Sequence, residues 1–278
     1  MGLEHSDASS SNSSLGQLLG KRPIVILKLA RSGSSWIGDK ITDTSPHHRV
    51  KNEVTNPFKG QEIKDICNEA VQHVHQTLLK KNGITINPNK FGFTNKLPGT
   101  NYSCWDKISI SLKKEEPFVL VWMRQNVVAQ VVSALISQEI NRDGICPHPF
   151  HLEDCPEGRE HKISVQPAVF LQKCRKLQHK YMKLYEYARQ IGTSGSIHEL
   201  TFEDLMAAGD GHGLSNRPLD LIPRQVPSSN NDTKLVSLPV LQQGGKPHLM
   251  TRLVNFQAVK EYLMKHAPDL VDQLMEKH

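Results

Sequence analysis

Several features that would assign a chain quickly are missing from this one. No apolar stretch approaches the ~20 residues needed to span a bilayer. The first residues carry neither the basic region nor the apolar region of a secretory leader. Five cysteines (Cys67, Cys104, Cys146, Cys155 and Cys174) form no CxxC pair. An odd count without a leader reads as reduced thiols in a cytosolic protein. The Walker pattern GxxxxGK[ST] is absent, which disfavours hydrolysis of a nucleoside triphosphate. There is no internal repeat and no interleaving of aromatic with basic residues. The net charge of +6 is spread along the chain, so it favours anionic partners without specifying nucleic acid. These absences together predict a cytoplasmic protein with no stable membrane anchoring and no nucleic-acid partner. Met1-Gly2-Leu3-Glu4-His5-Ser6 fits the loose myristoylation pattern at Gly2, although a chance glycine in a polar tail explains it more simply.

What is present suits an α/β domain. The chain has 278 residues, 37 % apolar and 22 % charged, enough to bury one sizeable core. Residues 1–20 include DASSSNSS and read as a disordered tail, leaving 21–278 as a single domain. Pro23-Ile24-Val25-Ile26-Leu27 is a short β-branched run of the kind found in buried parallel strands. A helix is expected over 34–42, and apolar residues at helical spacing predict another over 60–81. Phe91-Gly92-Phe93-Thr94 is expected as a second short strand. Pro117–Met123 is the clearest strand in the chain, with a helix from about 127 to 138. Further on come a helix over 165–190, a strand over 195–200, a short helix from Phe202, and two amphipathic helices near 252–265 and 267–277. Residues 141–163 and 207–248 read as irregular loops. Strands alternating with helices predict a central parallel sheet covered on both faces, a three-layer fold. Ligands bind such sheets at the carboxyl ends of their strands.

The segment leaving the first strand is Leu27-Lys28-Leu29-Ala30-Arg31-Ser32-Gly33-Ser34-Ser35-Trp36. A strand, a small-residue turn and a helix start make an anion trap, because the first helical N–H groups have no internal partner and the macrodipole adds positive potential. Gly33 permits close backbone approach. Ser32, Ser34 and Ser35 add hydroxyl donors, and Arg31 adds a charged one. The pattern suits a phosphate or sulfate, although a serine-capped helix with no ligand would look the same.

Arg31–Trp36 resembles the 5′-phosphosulfate loop of sulfotransferases that use 3′-phosphoadenosine 5′-phosphosulfate (PAPS). The resemblance implies a P-loop sulfotransferase-like fold. It also implies that Ser34 and Ser35 hold the 5′-phosphate, that Arg31 faces the phosphosulfate bridge and that Trp36 stacks on adenine, a contact worth roughly 1–3 kcal/mol. A second segment, Trp122-Met123-Arg124-Gln125-Asn126-Val127-Val128-Ala129-Gln130-Val131-Val132-Ser133, resembles the family's 3′-phosphate element, an Arg at a strand end and a Ser on the following helix. "VAQVVS" is most similar to the glycolipid-type members. The interval from Arg124 to Ser133 is one residue longer than the family's usual spacing, and Gln125 stands at the usual place of the Arg. A third segment, Leu200-Thr201-Phe202-Glu203-Asp204-Leu205, resembles the family's structural "YEDL" element.

The resemblance implies PAPS as co-substrate, no metal, and transfer of a sulfuryl group to a hydroxyl or amine of a small-molecule acceptor. A base must take the acceptor's proton. Glu53, in "HHRVKNEVTNP", is the first candidate because the family places a catalytic Glu after the first helix; His48 or His47 is the runner-up. Lys96 loosely matches a family lysine near the transferred group. Cys146, His148, His151 and Cys155 invite a zinc reading, but their spacing fits no standard module. Two other functions stay open on the sequence, a P-loop-type nucleotide kinase and a non-catalytic nucleotide-binding protein on the same scaffold.

Overall fold

The computed structural model describes residues 19–30, 32, 34–45, 47–54, 58, 63–90, 93–144, 161–207, 224–225 and 248–275. The elements at the heart of the molecule are β1 (Ile24–Leu27), α1 (Ser34–Thr44), α2 (Ile63–Lys81), β2 (Gly83–Ile86), α3 (Cys104–Lys113), β3 (Phe118–Met123), α4 (Val127–Arg142) and α5 (Pro167–Ile191). They are followed by β4 (Ile197–Thr201), α6 (Phe202–Ala207), the two-residue β5 (Arg224–Gln225), α7 (His248–Arg252), α8 (Phe256–His266) and α9 (Val271–Met275).

The sheet order is β2-β1-β3-β4-β5. The first four strands are parallel, and β5 adds a short antiparallel edge on β4, inside the segment expected to be irregular. Side chains alternate between the faces, as strand geometry requires. Val25, Leu27, Ile84, Ile86, Val119 and Val121 share one core with α2, α3, α4, α5 and α8. Ile24, Ile26, Phe118, Leu120 and Trp122 share another with Ile37 and Ile41 of α1. The architecture is therefore α/β, a four-strand parallel sheet between helical layers. Both faces are covered, which explains why β1 and β3 read as unbroken apolar runs.

Several boundaries differ from the sequence reading for local reasons. The second strand is Gly83–Ile86, not Phe91–Thr94; Phe93 and Thr94 lie in a turn, and Phe91 and Gly92 lie outside the described residues. Four residues that open on glycine carry almost no period to detect. The helix α3 was not anticipated. It starts at a capping box: the Ser103 hydroxyl accepts from the Asp106 amide, and the Asp106 carboxylate accepts from the Ser103 amide. Such a cap is worth about 1 kcal/mol. Gly83 carries a packing constraint: a Cβ there would lie 2.9 Å from side-chain carbons of both Ile24 and Val50.

A disulfide joins Cys67 near the start of α2 to Cys104 at the start of α3, with Cα atoms 5.5 Å apart. This corrects the expectation of reduced thiols throughout. The pair is 37 residues apart in sequence and brought together only by helix packing. Cys174 is a buried free thiol, and burial pushes its pKa up to about 12, so it is chemically inert. Among the described residues no helix is long and apolar enough to cross a membrane, and no cluster of ligating side chains could hold a metal ion. Cys146, His148, His151 and Cys155 lie outside the described residues.

Candidate functional site

The strand order reverses direction between β1 and β3: the chain steps from β1 to β2 on one side and on to β3 on the other. This is a topological switch point, where open α/β sheets form a crevice at the carboxyl ends of the strands. Both segments singled out in the sequence lie beside it. The turn after β1 leads into α1, which begins at Ser34 directly after the glycine of the turn. Arg124 follows the last residue of β3, and Ser133 sits half-buried on α4.

The two motifs are tied to one another by hydrogen bonds. The side-chain amide of Gln130 on α4 donates to the Ala30 carbonyl at 2.7 Å. The Trp122 indole in β3 donates to the Ser32 carbonyl at 2.8 Å. The Ser32 hydroxyl, expected as a donor to an anion, is 1 % exposed and donates instead to the Leu29 carbonyl at 2.8 Å. That serine therefore shapes the turn rather than offering a free donor. Arg31 and Gly33 lie outside the described residues, as do the side chains of Ser34, Ser35 and Trp36.

The second element is built differently from a simple helix-start anion trap. Its amides are already occupied by protein groups. Glu203 on α6 accepts from the Gln125 amide at 2.8 Å and the Asn126 amide at 3.2 Å. The Gln273 side chain on α9 accepts from the Val127 amide at 2.9 Å, and the Asn126 side chain caps the Ala129 amide at 2.7 Å. Anion binding here would fall to the side chains of Arg124 and Ser133. The Arg124 guanidinium lies over the Phe202 ring, 5.0 Å from its centroid, with Nε 3.7 Å from Glu203. The Leu200–Leu205 segment thus acts structurally: Thr201 and Asp204 form a reciprocal cap, and Glu203 pins the β3–α4 turn.

A charged cluster that the sequence reading had not assembled sits at the ends of β1 and β2. Glu53 forms ion pairs with Lys28, the residue following β1, and with Lys90, at 2.5 Å, in the loop after β2. The Lys28 side chain is 7 % exposed, that of Glu53 14 % and that of Lys90 31 %. Burial raises the Glu53 pKa, but charge and hydrogen bonds from Lys28 and Lys90 outweigh it and hold the carboxyl below its usual range. Glu53 also has a left-handed backbone, φ 53°, fixed by donation of its N–H to the Thr85 hydroxyl at 2.6 Å. A non-glycine residue in that region costs of order 1–3 kcal/mol and persists where the surroundings impose it, commonly at functional sites.

The other proton-transfer candidate is elsewhere. The segment from Arg49 to Val54 runs along β2, with Arg49 bonded to Lys81 and Val54 to Thr85. Glu53 therefore reaches the carboxyl end of the sheet while His48 stays at the amino end. His48 is fully buried, its Nε2 donating to the Arg22 carbonyl at 2.8 Å and its Nδ1 2.6 Å from the Ser45 hydroxyl. From Arg22 to Lys28 is roughly 20 Å of extended chain. His48 is thus corrected from candidate base to structural residue; His47 is exposed in the same turn. Lys96 is exposed and forms an antiparallel bridge with Ser103. Among the described contacts it is Lys90, not Lys96, that reaches Glu53. Lys28 could have been suspected from sequence, as a lysine directly on the end of an apolar strand, and Glu203 stood in the segment resembling a structural element, but Lys90 carried no such signal.

Compared with known proteins, the chain matches no family model, and no curated relative or solved structure matches it significantly.

Proposed function

We propose that the protein is a PAPS-dependent sulfotransferase of the P-loop type, moving a sulfuryl group to a hydroxyl or amine of a small-molecule acceptor. The observation that carries this reading is the Gln130–Ala30 hydrogen bond, which brings the β1–α1 turn and the Arg124–Ser133 helix to one crevice at the switch point. A ligand with phosphates at both ends of one adenosine suits such a pair of elements.

In this reading the 5′-phosphosulfate lies on the start of α1 with Arg31, Gly33, Ser34 and Ser35, and Trp36 stacks on the base. The 3′-phosphate takes Arg124 and Ser133. During transfer the bond from sulfur to the bridging oxygen breaks, and a bond from sulfur to the acceptor atom forms. The acceptor's proton goes to the Glu53 carboxylate, which its low pKa keeps ionised at neutral pH. Lys28 is locked by burial, whereas the more exposed Lys90 is the partner that can yield an oxygen of Glu53 and turn its charge toward the leaving phosphate.

Adenosine 3′,5′-bisphosphate (PAP) should raise the melting temperature well above the effect of AMP at equal concentration, as ligand linkage requires. Arg31→Ala and Ser133→Ala should each weaken PAP binding. Sulfated product should appear as a mass gain of one SO₃ when cell extracts are incubated with PAPS. ATP hydrolysis with magnesium and no response to PAP would replace this reading with a nucleotide kinase. PAP binding without product from any acceptor would replace it with a non-catalytic nucleotide-binding protein.

A further inference from the structure

Between the two motifs runs a polar chain that joins Tyr181, from outside both, to Gln130 of the second. The Tyr181 hydroxyl on α5 accepts from the Arg124 amide at 3.1 Å and donates to the Gln130 side-chain oxygen at 2.5 Å. Gln130 in turn donates to the Ala30 carbonyl at 2.7 Å. Tyr181 and Gln130 are each 1 % exposed. Burial pushes the Tyr181 pKa upward, so the phenol stays protonated and keeps its donor. That donor fixes the orientation of the Gln130 amide: the oxygen must face Tyr181, so the nitrogen must face Ala30.

We infer that Gln130, oriented by Tyr181, is a positioning strut that sets the separation between the β1–α1 turn and the Arg124–Ser133 element, and so selects a ligand with two anionic groups over one with a single anionic group. The inference rests on the proposed donor site for its ligand, but the strut itself is a property of the fold. Gln130 reads the turn through a backbone carbonyl, so the turn's own side chains can vary without breaking the link. Without the strut, the Trp122–Ser32 bond still ties the turn to β3 but leaves its distance from α4 unset. A bisphosphate then no longer finds both ends of its site at a fixed distance, whereas a monophosphate has only one end to satisfy.

The test is Gln130→Met, which keeps volume and removes both hydrogen-bonding groups. Binding of PAP and of AMP is measured by calorimetry on the folded variant and on the parent. Hydrogen exchange is followed over a peptide covering residues 28–36, with β2 as internal reference. The parent should prefer PAP, and the variant should lose that preference by about tenfold, the scale of one well-placed buried hydrogen bond. Exchange over 28–36 should quicken while β2 keeps its protection. A general loss of stability would lower the melting temperature without changing the PAP-to-AMP ratio of the folded protein. A retained ratio, or unchanged exchange over 28–36, overturns the strut. A parent that shows no preference for PAP overturns the donor reading instead, and exchange alone then decides the strut in either direction. Should Gln130→Met fail to fold, Tyr181→Phe removes the orienting hydroxyl while keeping the ring, and the same two shifts are expected at smaller size.

Discussion

Replacing Glu53 by Gln removes one charge from a cluster that has almost no water to replace it. Lys28 is only 7 % exposed at its side chain, and its ammonium has Glu53 as its ion-pair partner. Breaking a buried pair from one side strands the other charge and costs about 3–5 kcal/mol. Lys90, at 31 % exposed, is better hydrated and adds less than about 1 kcal/mol. For a chain of this length each kcal/mol shifts Tm by about 2–4 °C, so Glu53→Gln should melt roughly 6–20 °C lower. The double variant Lys28→Met/Glu53→Gln removes both charges and should recover much of the loss, giving a coupling energy of about 2 kcal/mol. The effect should depend on pH in one direction. The folded Glu53 pKa lies below its ordinary value of 4.5, so its stabilisation is full above that value and is lost as pH falls through the lower folded value. The gap between parent and Glu53→Gln in urea unfolding should therefore be wide at pH 7 and narrow well below pH 4.5. Turnover with PAPS should also fall in this variant while PAP binding survives. A variant within about 0.5 kcal/mol of the parent at pH 7, with no coupling to Lys28→Met, would refute the buried triad and remove the physical basis for placing Glu53 at the site.

Two further outcomes follow from the packing. Peptide mapping without reductant should find Cys67 linked to Cys104, and Cys104→Ser should cost about 4 kcal/mol by the chain-entropy argument for a closed segment of 37 residues; free alkylation of both thiols in the unreduced protein would contradict the fold at α2 and α3. Gly83→Ala should destabilise by about 1–3 kcal/mol in chemical unfolding, because its Cβ would meet side-chain carbons of Ile24 and Val50 at 2.9 Å; a neutral result would mean that β1, β2 and the Val50 segment do not pack as described.

What the sequence alone determined was local and periodic. The apolar runs of β1 and β3 and the 3.6-residue stripes of α2, α4 and α5 depend only on neighbours a few positions apart. So does the strand–turn–helix pattern that Ser32 and Gly33 suggest, because small residues after an apolar run signal a turn. The alternation of these elements was enough to predict a parallel sheet between helices. Tertiary structure alone decided which residues at the carboxyl edge meet. Lys28, Glu53 and Lys90 come together only because β2 sits beside β1 and the 49–54 segment runs along it. Glu203 and Gln273 reach the start of α4 from 77 and 146 residues away, and Cys67 finds Cys104 across two helices. His48 and Glu53, five positions apart in one loop, were both candidate bases on sequence, Glu53 ahead of His48, and they end at opposite ends of the sheet's strands. Pairings of this kind are set by which faces must be buried against each other, and that condition is satisfied only by the whole chain at once.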